Sequence, residues 1–142
     1  MNFLNKINSK RKKGLKIGFT ASTFDLLHAG HCIMLEESKM NCDFLIVGLL
    51  TDPTNDRPDT KMKPNQTTFE RWIQANSISS IDLLIPFDTE CDLLNMLKII
   101  EPDIRFVGEE YKGLEFTGSD LPIKIHYNKR KHNYSSTKLK TK

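Results

Sequence analysis

Residues 44–50, FLIVGLL, carry no polar side chain. A run of this length without polar alternation fits a strand covered by protein on both faces, and such strands belong to parallel sheets with helices on either side. Few folds meet that demand. The rest of the chain supplies the partners in order. KIGFTAS (16–22) reads as a first strand, and HCIMLEESKMN (31–41) as a helix that buries Met34, Leu35 and Cys42. Residues 51–68 hold three prolines, three aspartates and two asparagines, the composition of a long loop, and loops of this length in compact domains are usually functional. FERWIQANSIS (69–79) can make a helix capped by Thr67 or Thr68, and IDLLIPF (81–87) a strand ending at Pro86. Leu93, Leu97 and Ile100 form an i, i+4, i+7 stripe on the next helix. IRFVGEE and IKIHYN supply two more strands, and SSTKLK the start of a last helix. This strict alternation predicts a Rossmann-like α/β fold, with right-handed crossovers and helices on both faces of a parallel sheet.

A chain of 142 residues is long enough for one core and too short for two substantial ones. We expect a single domain over 14–142, with residues 1–13 as a flexible basic lead. The net charge of +3 is modest and concentrates in KRKKGLK and KLKTK, without the interleaved aromatics of a nucleic-acid surface. No run approaches the roughly 18 apolar residues of a membrane span. The N-terminus also lacks the apolar centre of a secretory signal, so a cytoplasmic protein without membrane contact is expected. Three widely spaced cysteines, Cys32, Cys42 and Cys91, form neither a disulfide framework nor a C-x-x-C pair and read as free thiols.

In open parallel sheets, ligands sit at the carboxyl ends of the strands. The connection TFDLLHAGH (23–31) lies there, between the first strand and the first helix. It holds two of the chain's four histidines, His28 and His31, three residues apart. On a forming helical turn both project to one side and can donate into one small volume. The helix N-terminus favours an anion, above all a phosphate, and Gly30 leaves room for its close approach. A metal site through His28, His31 and Cys32 is disfavoured, because adjacent His31 and Cys32 point to different sides of a helix and no further ligand pair is evident.

TFDLLHAGH resembles the H-x-G-H signature of the cytidylyltransferase-like nucleotidyltransferase superfamily, and its full form is similar to the glycerol-3-phosphate cytidylyltransferases. The resemblance covers roughly residues 16 to 140 and continues in the right order. It implies transfer of a cytidylyl group from CTP to a phosphate monoester, glycerol 3-phosphate first among them, with release of pyrophosphate. It places Thr23, Phe24, Asp25 and Gly30 beside the nucleotide and His28 and His31 on its phosphates. Asp52 and Asn55 match the family's D-x-x-N, and Lys61 and Lys63 its K-x-K, the loop that reaches over the reacting groups; Arg71 matches an arginine after that loop. RKHNYSSTK looks like the family's R-T-E-G-I-S-T-T-K and gives Arg130, Ser135, Ser136 and Thr137 as triphosphate contacts. His28, His31, Lys61, Lys63 and Arg130 are thus the expected catalytic set, and Asp52, Lys61 and Arg71 the acceptor contacts. Magnesium bound with the triphosphate and a homodimer are further implications.

The match has departures: Ser22 replaces a glycine, Lys131, His132 and Asn133 replace T-E-G, and the acidic DTECDLL stands where the family carries a lysine for glycerol phosphate. Two other readings remain open. One is an adenylyltransferase using ATP and a sugar phosphate, since GEEYKGLEFTGSDL is similar to the sugar-nucleotide branch. The other is a nucleotide-binding or interaction module without turnover. Trp72 and the Leu93–Ile100 stripe are read as core, and His126 as a strand residue.

Overall fold

The computed structural model describes residues 2–129. Its five described strands are β1 (Ile17–Ser22), β2 (Phe44–Leu50), β3 (Leu83–Phe87), β4 (Ile104–Gly108) and β5 (Lys124–Asn128). They form one parallel sheet in the order β3-β2-β1-β4-β5. The helices are α1 (Phe3–Lys12), α2 (Ala29–Met40), α3 (Thr68–Asn76) and α4 (Glu90–Ile100). The Rossmann-like α/β expectation therefore holds.

All seven residues of β2 are buried, as the unbroken apolar run requires. One face of the sheet packs Leu45, Val47, Leu84 and Phe106 against Leu35 of α2 and Ala75 of α3, with Trp72 alongside. The other packs Phe19, Ile46 and Phe87 against Leu93, Leu97 and Ile100 of α4. Thr67 caps α3, donating and accepting with Glu70 in a reciprocal capping box.

Three aspartates stitch the amino-terminal edge of the sheet. Asp43, Asp82 and Asp103 each stand one residue before a strand and accept, at 2.8 Å in each case, from Lys16 N, Leu45 N and Ile17 N. Each carboxylate thereby accepts a backbone N–H at the start of a neighbouring strand. Lys39 pairs with Asp82 and locks the end of α2 to the same edge.

Two expectations need correction. The basic lead is not a flexible tail: Asn2 caps α1, Ile7 is 1% exposed within the core, and Arg11 donates at 2.9 Å to the carbonyls of Ile100 and Glu101. Those are orphan carbonyls at the end of α4, so the arginine's charge serves as a cap. Strand β3 also runs through Pro86 to Phe87, because β3 is an edge strand and a missing N–H costs nothing there. The expected helix over SSTKLK lies outside the described residues.

Cys42 packs beneath Gly18, where an added Cβ would lie 2.6 Å from its Sγ and 2.8 Å from Phe106 Cε2. Burial pushes its thiol from 9.0 up to about 11, whereas Cys32 and Cys91 are exposed. Less thiolate means slower attack on a disulfide reagent. With Ellman's reagent at pH 8, Cys42 should lag an ordinary thiol about 100-fold, the ratio that a two-unit rise in pKa gives in thiolate. Three equally fast thiols would contradict its placement.

Candidate functional site

Connections from β1 to β2 and from β2 to β3 run toward one side of the sheet, whereas that from β3 to β4 jumps to the other. The order reverses between β1 and β4, and a crevice opens at their carboxyl ends. A cleft of about 700 Å³ occupies that crevice, with Thr20–Ser22 from β1, Thr23 just beyond it and Arg105–Gly108 from β4 in its walls. His28, Gly30 and His31 line one side, at the start of α2, and Lys61 and Arg57 reach it from the long loop.

His28 is the N-cap of α2, with extended backbone at φ −137° and ψ 176°. Its Nδ1 accepts from Gly30 N at 3.0 Å, and His31 Nδ1 accepts from His28 N at 3.2 Å. The two rings stack with centroids 3.9 Å apart and an interplanar angle of 28°. A ring nitrogen that accepts an N–H carries no hydrogen of its own, so this geometry assigns the Nε2–H tautomer to both rings. Each histidine therefore uses Nδ1 to cap the helix and carries its ring hydrogen on Nε2. Serine, aspartate or asparagine would serve as the commoner cap; histidine does the same and adds an N–H on its second nitrogen. Moreover, the first turn of α2 holds no acidic residue, whereas α3 starts with Glu70 and α4 with Glu90 and Asp92. The positive end of the α2 dipole is thus left for an anion.

The connection into α2 is held under backbone strain. Phe24 and Leu26 sit at φ 52° and φ 50°, a left-handed conformation that bulky residues rarely adopt. Three side chains hold it. Asp25, 2% exposed, accepts from Asn65 N and Gln66 N at 2.8 and 2.9 Å. Gln66 Oε1 accepts from Leu26 N at 2.9 Å, and Arg71 donates to Thr23 O at 3.0 Å. Strain of about 1–3 kcal/mol per residue persists only under such redundancy. Phe24 is itself buried, its ring 5.3 Å from that of His31.

These positions put part of the expected contact set behind the cleft wall. The side chains of Phe24, Asp25 and Arg71 face inward and hold the walls of the cleft instead of lining it. Arg71 is 1% exposed and donates to the carbonyls of Gln66, Thr23, Leu50 and Thr51 and to Thr68 Oγ1. Five N–H donors spent on those partners leave none for an acceptor. Burial lowers its guanidinium pKa, against the opposing pull of Asp25 and Asp52. Asp52 caps the short 3-10 turn Pro53–Asn55. Hydrogen bonds from Thr54 hold its carboxyl below the usual range, with a smaller contribution from Lys63. Asn55 donates to Asp88 O at 3.2 Å, and neither Asp52 nor Lys63 lines the cleft. Thr23, His28, Gly30, His31 and Lys61 do line it. Arg130, Ser135, Ser136 and Thr137 lie outside the described residues.

The structure also adds cleft residues that motif reading passed over: Arg105 on β4, Arg57 in the loop and Glu90 at the start of α4. A signal for Arg105 was present. An arginine between Ile104 and Phe106 in an otherwise apolar strand has to be placed somewhere.

A family model described as cytidylyltransferase-like matches residues 19–142. The chain belongs to the cytidylyltransferase-like family. Among its relatives are proteins named bifunctional protein HldE. That of Caulobacter sp. (strain K31) is 39% identical over 113 residues and 80% of this chain, and that of Wolinella succinogenes 37% over 111 residues and 78%. This chain spans 23% of the length of either relative. The lipopolysaccharide core biosynthesis protein from Thermoplasma volcanium GSS1 superposes with a TM-score of 0.65 at 24% identity, over 86% of this chain and 100% of that one. Pantoate-beta-alanine ligase from Francisella tularensis gives 0.67 at 20% identity, over 99% and 72%. These likenesses concern the fold. Among the described residues no helix is long and apolar enough to cross a membrane.

Proposed function

We propose that this chain transfers a nucleotidyl group from a nucleoside triphosphate to a phosphorylated sugar, with ATP as the donor. The observation that carries the transfer is the paired histidine cap at the start of α2, which sets both imidazole rings in the wall of the cleft beside a helix N-terminus without an acidic residue in its first turn. ATP and a sugar phosphate are preferred to CTP and glycerol 3-phosphate on two grounds. The relatives matched over most of the chain carry the name HldE. The stretch GEEYKGLEFTGSDL, which continues from β4, is similar to the sugar-nucleotide branch.

The chemistry asks little of the protein in proton transfer. A phosphate monoester has its second pKa near 6 and is already mostly dianionic at neutral pH, so no general base is needed. Its oxygen forms a bond to the α-phosphorus while the bond from that phosphorus to the bridging oxygen breaks, and pyrophosphate leaves. The protein must align the two and stabilise the charge that moves onto the leaving oxygens. His28 and His31 supply neutral donors for that charge, and Lys61 a mobile cation from the loop.

Among the described residues no three His, Cys, Asp or Glu side chains converge as a cage. Magnesium would be carried in on the triphosphate, where the ion's own charge offsets that of the phosphates. The test is pyrophosphate release with magnesium, using ATP or CTP and either a sugar 1-phosphate or glycerol 3-phosphate. Release that needs both ATP and the sugar phosphate is expected. Release confined to CTP with glycerol 3-phosphate would move the chain to the cytidylyl branch, and no release with any phosphorylated acceptor would end the enzymatic reading.

A further inference from the structure

The cleft crosses the crest of the sheet, and its two sides differ. On the α2 side stand the histidine pair and the helix N-terminus. On the α4 side lies a chamber walled by Leu50, Phe87 and Leu93, which pack on that face of the sheet. Arg105 lines the same chamber: it is in register with Phe19, whose side chain belongs to the α4 face.

Arg105 is 6% exposed, yet it makes no salt bridge among the described residues, Glu90 acting on it only at longer range. One N–H donates to Thr117 O, and the guanidinium lies 5.2 Å from the ring centroid of Phe116, which fixes its plane. The nearby carboxylate of Glu90 is held by Arg57 at 3.2 Å. A buried guanidinium with one carbonyl partner and no ion pair is an expensive arrangement for a fold to keep. Its remaining donors are left for something that enters the chamber.

We propose that Arg105 binds the phosphate of the acceptor, and that the α4 side of the cleft is the acceptor's chamber. This rests on the reading of the cleft as a nucleotidyl-transfer site. The triphosphate belongs on the α2 side, because the helix dipole and the histidine donors are there. The nucleophile must approach the α-phosphorus opposite the departing pyrophosphate, and the α4 chamber is the space open to it. A dianionic phosphate arriving there needs a cation. The first turn of α4 offers only Glu90 and Asp92. Arg105, facing that turn from β4, is the buried cation available, and a planar guanidinium suits two phosphate oxygens at once. Burial disfavours its charged form, so an incoming anion gains by restoring the balance.

The experiment is a ³¹P NMR titration of glucose 1-phosphate and of glycerol 3-phosphate into the full chain, with a non-hydrolysable ATP analogue bound. Arg105→Gln, which keeps a donor for Thr117 O, should weaken binding of the monoester by about 10- to 100-fold, the range for a charged hydrogen bond. Affinity for the ATP analogue should stay within twofold. Arg105→Lys should fall between wild type and Gln. Should Gln fail to fold, Glu90→Gln gives an effect of opposite sign: removing the competing carboxylate should tighten the monoester about two- to fivefold. Equal monoester affinity in wild type and Arg105→Gln, no monoester binding by wild type, or a parallel loss of nucleotide affinity would overturn the proposal, the last by assigning Arg105 to the nucleotide. Arg105-dependent monoester binding by a wild-type chain that releases no pyrophosphate would leave this site standing and remove the proposed function alone.

Discussion

His28→Ala should lower kcat/KM for pyrophosphate release by about 10²- to 10³-fold, the size of effect seen when one donor to a developing oxyanion is removed. The same substitution removes the acceptor for Gly30 N and should cost about 1 kcal/mol of stability, as the loss of an N-cap does. One ring thus carries two roles on two nitrogens, and two further variants separate them. Asparagine places an acceptor where Nδ1 stands but has nothing at the position of Nε2. His28→Asn should therefore keep the cap and the melting temperature while losing turnover as fully as alanine. Glutamine reaches the position of Nε2 with its amide, so His28→Gln should recover part of the rate at some cost in stability. Full activity in His28→Asn would show that Nε2 does no chemistry, and the proposed mechanism would fall with it.

Legibility in the sequence followed the range of the interactions involved. β2 was readable because seven consecutive apolar residues permit one environment, and α4 because Leu93, Leu97 and Ile100 repeat at helical spacing. The cap of α3 was equally local, narrowed to Thr67 or Thr68, and the reciprocal bond with Glu70 selects Thr67. The histidine pair was recognisable as a site, yet its division into capping and donating nitrogens depends on the extended backbone of His28, which no spacing encodes. Helix α1 was hidden because its single core anchor, Ile7, stands among asparagine, serine and lysine and gives no periodic stripe. Arg71 shows the limit of a motif most clearly. A matching position says that an arginine is wanted there and leaves open whether its donors face a ligand or the ends of two strands.

Removal of Arg71 is the substitution with the largest expected effect on stability. Its guanidinium gathers the carbonyls of Thr23, Leu50 and Thr51, just beyond β1 and at and beyond the end of β2, together with Gln66 O at the entrance to α3. Those carbonyls surround a residue that is 1% exposed, and alanine would leave them without donors. Each unsatisfied buried group costs about 1–3 kcal/mol, and part of this is recovered where water enters the vacated space. A net loss of about 3–5 kcal/mol is expected for Arg71→Ala, a large share of the roughly 5–15 kcal/mol that holds a typical domain folded. The melting temperature should fall by about 10 °C or more. Lysine, with three donors on one nitrogen in place of a planar fork, can serve at most part of the set, so Arg71→Lys should recover less than half of the loss. Activity tells the two roles of this arginine apart. If it only positions, Arg71→Lys assayed well below its melting temperature should lose kcat, because Thr23 O anchors the strained turn that carries the histidines, while KM for the acceptor stays near that of wild type. A wild-type melting temperature combined with a raised acceptor KM would return Arg71 to the substrate.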